Sequence, residues 1–230
     1  MRHIKNLQVR RLATKPLNAS QNMIRQLLLV FFISIYSIAV CAQELEEQNL
    51  YVFVGEKISV EEFEPALEDG RILMDSAFRA RYKVIDNVYN QLSTDTIEFI
   101  AYDHYGIPAF SNFEHVLLYI VKTEEGYVHS KYLYSPLFKT KDNEWAAPYQ
   151  SSDYNHPYNS DIDIEPIRIE WQSPPSFKAE DHQLNNLDNS FPEPFYQIDG
   201  RTVTAIYGNY IEELFSLKKQ GVLKARGYFE

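Results

Sequence analysis

Between Tyr51 and Tyr134 the chain is built from short runs of alternating apolar and polar residues separated by turn signals. The clearest run interleaves Phe78, Ala80, Tyr82 and Val84 with Arg79, Arg81 and Lys83. A period of two puts the apolar side chains on one face and the basic ones on the other, the imprint of a half-buried strand. Thr96 to Ala101 repeats the pattern, with Ile97, Phe99 and Ala101 on one side. Tyr51-Val52-Phe53-Val54-Gly55 opens an earlier strand that Ile58-Ser59-Val60 continues, and the glycine inside it marks a bulge or bend. The acidic stretch after it ends in the turn signal Asp69-Gly70. Val116 to Val121 is apolar at both parities, which suits a strand covered on both faces. Glu124-Glu125-Gly126 is a turn from which Tyr127 to Tyr134 returns, so the last two strands read as a hairpin. This spacing favours a barrel or sandwich over a parallel sheet.

Residues 135–200 differ. They hold eight of the eleven prolines, among Ser, Asn and Asp, and predict a loop-rich insertion. One island of alternation survives near 162–171: Ile162 and Ile164, then Ile167, Ile169 and Trp171. Pro166 shifts its phase and predicts a bulge or an edge strand. Over 201–220, Val203, Ile206, Tyr207, Tyr210, Ile211, Leu214 and Leu217 recur at helical spacing. Asp199 or Thr202 would cap that helix, Lys218 and Lys219 suit its negative pole, and Gly221 suits its end. The expected architecture is mainly β: a small antiparallel OB-like barrel or curved sheet over 51–134, a long irregular insertion, and a C-terminal amphipathic helix.

The block from Tyr51 to Tyr134 resembles the netrin-like modules related to tissue inhibitors of metalloproteinases. The similarity rests on Val52-Phe53-Val54-Gly55-Glu56-Lys57-Ile58-Ser59-Val60, on Phe78-Arg79-Ala80-Arg81-Tyr82-Lys83-Val84-Ile85, and on Asp95-Thr96-Ile97-Glu98-Phe99. It implies a five-stranded OB-type barrel and a binding module. It carries no inhibitory residue over. Those inhibitors use a free N-terminal Cys and pinning disulfides, and this chain lacks both.

The first 42 residues read as a signal peptide. Arg25 is followed by an apolar run from Leu27 to Val40, and cleavage after Ala42 would leave Gln43 first. The run is shorter than the ~20 residues that span a bilayer, and translation from Met23 would give a compact leader. Ile38-Ala39-Val40-Cys41 also resembles a lipoprotein box, with Val40 where Gly, Ala or Ser is usual. Release is the expected outcome, and a lipid anchor at Cys41 is the alternative. The leader carries six of the 22 basic residues and none of the 32 acidic ones, so residues 43–230 form a domain of net charge −16. Such a charge opposes binding to phosphate backbones or anionic membranes. Cys41 is the only cysteine, so the domain has no disulfide, thiolate metal site or Cys nucleophile.

Four groups of residues are candidate sites. Asp103 and His104 stand at a strand end, with His115 and His129 on neighbouring strands; an imidazole oriented by Asp103 could act as general base or ligand. The plain alternative is a polar turn that satisfies its own backbone. Asn159, Asp161, Asp163 and Glu165, with Asp153 and Asn155 upstream, offer alternating hard oxygens suited to calcium, or simply the polar face of a strand. The basic stripe could hold an anion or face acidic residues next door. Trp145, Tyr149, Tyr154, His156 and Tyr158 combine rigid rings with polar groups, the composition of a recognition surface, unless the rings fold back onto the barrel. No nucleophile elbow, zinc-protease pair or phosphate loop accompanies them. The expected function is therefore a non-enzymatic exported binding module without a required cofactor. The alternatives are an exported hydrolase or metal-assisted enzyme built on the His/Asp cluster, and a lipid-anchored envelope protein.

Overall fold

The alternation becomes five strands whose burial follows the sequence residue by residue. In the computed structural model, described here for residues 49–65, 74–159, 162–180 and 186–229, these are β1 (Leu50–Phe63), β2 (Ser76–Tyr89), β3 (Thr96–Asp103), β4 (His115–Thr123) and β5 (Gly126–Pro136). They pair in the order β1-β2-β3-β5-β4, and β4 returns to β1 to close a barrel. Every pairing is antiparallel except β3 with β5, which meet in parallel at Ile100 and Val128. The expected leader with Met23 and Cys41, and the turn Asp69-Gly70, lie outside the described residues. Among the described residues no helix is long and apolar enough to cross a membrane.

Two cores share β1 and β4. Phe53, Val116, Leu118 and Ile120 point into the barrel, where Phe78, Ala80, Tyr82, Ile97, Phe99 and Phe110 meet them. The opposite parity, Leu50, Val52, Val54, Leu117 and Tyr119, packs outward under the C-terminal helix. This is why Val116–Val121 is apolar throughout: both faces of β4 are covered. Gly55 points inward, where a Cβ would come within 3.0 Å of the Phe53 and Tyr82 rings, and the register of β1 against β2 shifts beside it. On the outer face of β2, Arg79 pairs with Glu98 at 3.4 Å, Arg81 stands 4.0 Å from the same carboxylate, and Lys83 lies 3.5 Å from Glu56. The basic stripe faces acidic residues on its neighbours.

The insertion is more ordered than its composition suggests. β6 (Phe138–Lys139), β7 (Trp145–Pro148), β8 (Ile167–Arg168) and β12 (Tyr207–Tyr210) form one small sheet, in the order β6-β7-β12-β8. β9 (Ser176–Lys178), β10 (Tyr196–Asp199) and β11 (Thr202–Ala205) form another, in the order β10-β11-β9. A third core, including Ala146, Ile169, Trp171, Tyr196, Val203 and Ala205, holds them together. The strand expected near 162–171 shrinks to β8, at a sheet edge, one of the two outcomes Pro166 predicts, plus a single bridge from Trp171 to Thr140. Two short helices, α1 (Ser151–Tyr154) and α2 (Leu187–Ser190), punctuate the loops.

The helix expected over 201–220 needs correction. Only Ile211–Lys218 is α-helical (α3), followed by a π-helical turn at Lys219–Leu223. Residues 202–210 are strands β11 and β12. Asp199 and Thr202 are cross-strand partners flanking a two-residue hairpin loop whose first residue, Gly200, has φ +59°. That is the backbone such a turn requires. The start of α3 is fixed instead by Glu213, whose carboxylate accepts the Tyr210 N–H at 3.3 Å.

Candidate functional site

Where the barrel meets the two small sheets the chain leaves a cleft of about 530 Å³. Its walls are Phe113 and Pro136 from the barrel side, Phe138, Pro148 and Tyr149 from β6, β7 and the segment after β7, and Phe177, Phe191 and Tyr196 from around the second sheet. Volume and lining fall within the ordinary range of small-molecule sites, about 300–1,000 Å³ and mostly apolar. The rings are braced. Phe191 meets Phe177 edge-on at 4.8 Å and Tyr196 at 5.2 Å, and Tyr149 stacks on Phe195 at 3.9 Å. The Tyr196 hydroxyl donates to the Tyr149 carbonyl. Phe177, at the mouth, is 42% exposed.

The polar groups in the lining are Gln150, serines 151, 152, 176 and 190, and the two tyrosines. Among the described residues, no Asp, Glu, His, Lys, Arg or Cys contributes. Burial pushes the Tyr149 phenol up and that of Tyr196 to about 12, so both stay neutral at physiological pH. The described lining thus offers hydroxyls and aromatic faces.

Of the residues singled out as a recognition surface, Tyr149 alone lines this cleft. Tyr154 stacks on Tyr149 at 5.1 Å and gives its hydroxyl to the buried Asn209 side chain. Trp145 packs against the His115 ring at 4.6 Å and under the Lys139 ammonium at 3.8 Å. His156 and Tyr158 stack on each other at 5.7 Å, and Tyr158 is exposed. The five rings do not form one surface. Phe113, Phe138, Phe177, Phe191 and Tyr196 line the cleft without having been signalled by any spacing.

Asp103, His104 and His129 have separate partners. Asp103 accepts the Tyr105 N–H at 2.9 Å, a turn within its own loop. His104 lies 3.3 Å from Asp75, which Lys131 also binds at 2.6 Å; that ammonium holds the Asp75 carboxyl below its ordinary range. His129 is 6% exposed, with its ring 4.7 Å from Phe110 and 6.1 Å from Phe99. Its Nε2–H donates to the Leu133 carbonyl at 2.8 Å. The bond straps a bulge, because the register of β5 steps from Tyr134 opposite Leu118 to His129 opposite Ile120.

Burial holds the His129 imidazole neutral down to about pH 4. The unfolded chain takes up that proton near pH ~6.5. The folded value is depressed, so the stabilisation is complete above the unfolded value and lost as pH falls through the window between the two. The protein is expected to lose about 3 kcal/mol between pH 7 and pH 4 from this group alone. His129→Gln keeps an N–H donor and removes the titration. Urea midpoints at pH 7 and 4.5 should therefore move less in H129Q than in the parent; equal movement would refute this assignment.

Asn159 is buried and its amide N–H groups are spent on the carbonyls of Asp153 and Leu217. Asp163 and Glu165 are exposed, and the Glu165 carbonyl accepts from Asn209 at 3.1 Å. Asp161 lies outside the described residues. Among the described residues, one group brings metal-binding donor atoms within 4.8 Å of one another: Glu56, Glu114 and His115. Compared with known proteins, the chain matches no family model, no curated protein and no solved structure.

Proposed function

We propose that this chain is a non-enzymatic, exported binding module whose OB-like barrel carries an aromatic cleft for a small apolar, ring-containing ligand. The observation that carries this reading is the cleft lining: braced aromatic rings with hydroxyls among them, and no carboxylate, imidazole or amine among the described residues. Hydroxyl donors at the rim can orient a ligand while the rings supply the burial that drives binding. Export is supported by the leader pattern at residues 1–42, and the netrin-like reading by the five-stranded barrel.

Titration of the full chain with the apolar fluorophore N-phenyl-1-naphthylamine tests it. One saturable site per chain is expected, with micromolar affinity. Phe177→Ser removes a ring that is 42% exposed and meets Phe191 edge-on. It should weaken binding about tenfold or more, the worth of one buried phenyl ring, at unchanged melting temperature. Non-saturable uptake, or an F177S chain that binds like the parent, would refute the proposal.

A further inference from the structure

A second site stands on the outer face of the barrel, apart from the residues that line the cleft. Glu56 of β1 and His115 of β4 are direct cross-strand partners, and Glu114 precedes His115. Each offers a donor atom within 4.8 Å of the other two. The backbone beneath them is fixed on both sides. The Lys57 N–H donates to the Glu114 carbonyl at 2.8 Å, and the Leu137 N–H to the His115 carbonyl at 2.9 Å. The imidazole is held by the Trp145 ring, 4.6 Å away.

We infer that Glu56, Glu114 and His115 bind a divalent first-row transition ion, with zinc as the representative case. One imidazole nitrogen and two carboxylates are a borderline donor set of the kind zinc takes in three-ligand sites, leaving a fourth position open. Bonds of about 2.0–2.2 Å in a tetrahedron bring donor atoms to roughly 3.4 Å from one another. Glu114 is exposed, so its side chain can rotate to close the remaining gap. Calcium fits poorly, because it asks for about six to eight oxygens and does not favour imidazole. The ion's competitor is the Lys83 ammonium, 3.5 Å from Glu56 on the third strand of the same row. That contact is solvent-exposed and weak, and it leaves Glu114 and His115 untouched.

Calorimetric titration of the untagged full chain with zinc chloride tests the site, with thermal unfolding as a second readout. One zinc per chain is expected, at micromolar affinity, with a higher melting temperature when loaded. Glu114→Gln changes an exposed carboxylate and keeps the size of the side chain. It should leave the metal-free melting temperature unchanged and lower zinc affinity by at least about tenfold, the scale even ligand-orienting groups command. His115→Gln should do at least the same, and calcium at equal concentration should give no saturating heat. Three results would each overturn the inference: no saturation below about 1 mM zinc, E114Q and H115Q chains that bind zinc as the parent does, or calcium binding as tightly as zinc.

Discussion

Gly208→Ala is expected to cost about 3 kcal/mol or more, at the upper end of what overpacking does and large for any single methyl group. Gly208 sits in the central strand of its sheet, paired with Pro148 of β7 on one side and Ile167 of β8 on the other. A Cβ there would stand 2.0 Å from the Ala147 carbonyl oxygen and 3.0 Å from its carbon. Both are backbone atoms of a paired strand, so no rotamer change can make room. Relief requires parting β12 from β7, and the next residue magnifies the damage. Asn209 is 1% exposed; it accepts the Tyr154 hydroxyl and donates to Glu165 and Glu213. A displaced β12 would strand those groups in a buried setting, where each unmet bond costs about 1–3 kcal/mol. Urea unfolding of G208A measures the sum. Gly106 is the control: its φ of +111° is strained for other residues, but nothing lies within 4 Å of its would-be Cβ. G106A should lose about 1–3 kcal/mol, the cost of a strained backbone with no clash. If G208A costs no more than G106A, the close approach does not limit the sheet.

That glycine also shows why the barrel was legible in the sequence and the small sheets were not. The barrel strands run for 8 to 14 residues with one face in the core, so burial imprints a period of two that survives in the sequence. β6 to β12 run for two to four residues. No period can be read from so short a segment, and prolines between them look like loop. Around 203–210 the two periods coincide: Val203 and Ala205 face the third core at strand spacing, while Val203, Ile206, Tyr207 and Tyr210 also fit a helix. The deciding signal is Gly200 at the first position of the two-residue loop Gly200-Arg201, a hairpin mark that outweighs helical spacing.

The cleft was hidden for a related reason. Its rings come from positions as far apart as Phe113 and Tyr196, each a single aromatic in an irregular segment. Tyr149 stood out only because it lies in a dense aromatic run. The Glu56–His115 pairing depends on how β4 registers against β1, an unbroken ladder from Leu50–Val121 to Glu56–His115, and two strands apolar at both parities leave that register unmarked in the sequence.

Lys218→Ala is expected to cost about 3–5 kcal/mol, the penalty for leaving one member of a buried ion pair alone. Lys218 and Asp153 are each 7% exposed, and the ammonium donates to the carboxylate. Without Lys218, the buried Asp153 carboxyl would lose its cationic partner near the Tyr119 hydroxyl, which is itself buried without a hydrogen-bond partner among the described residues. The pair also has a structural role: it ties α1, in the insertion, to the end of α3. Asn159 reinforces that tie, donating to the carbonyls of Asp153 and Leu217. The charges themselves need not stabilise the fold, since desolvating two ions offsets most of their attraction. The two effects separate in a double-mutant cycle. Asp153→Leu combined with Lys218→Met replaces both charges by apolar groups of similar size. The double variant should recover to within about 1 kcal/mol of the parent or exceed it, while each single variant stays several kcal/mol below. Urea unfolding of the four proteins gives the coupling energy directly. If the double variant is as unstable as the sum of the singles, the loss does not come from an uncompensated charge. It then comes from the packing of α1 against α3, and the ion pair follows from that docking without causing it.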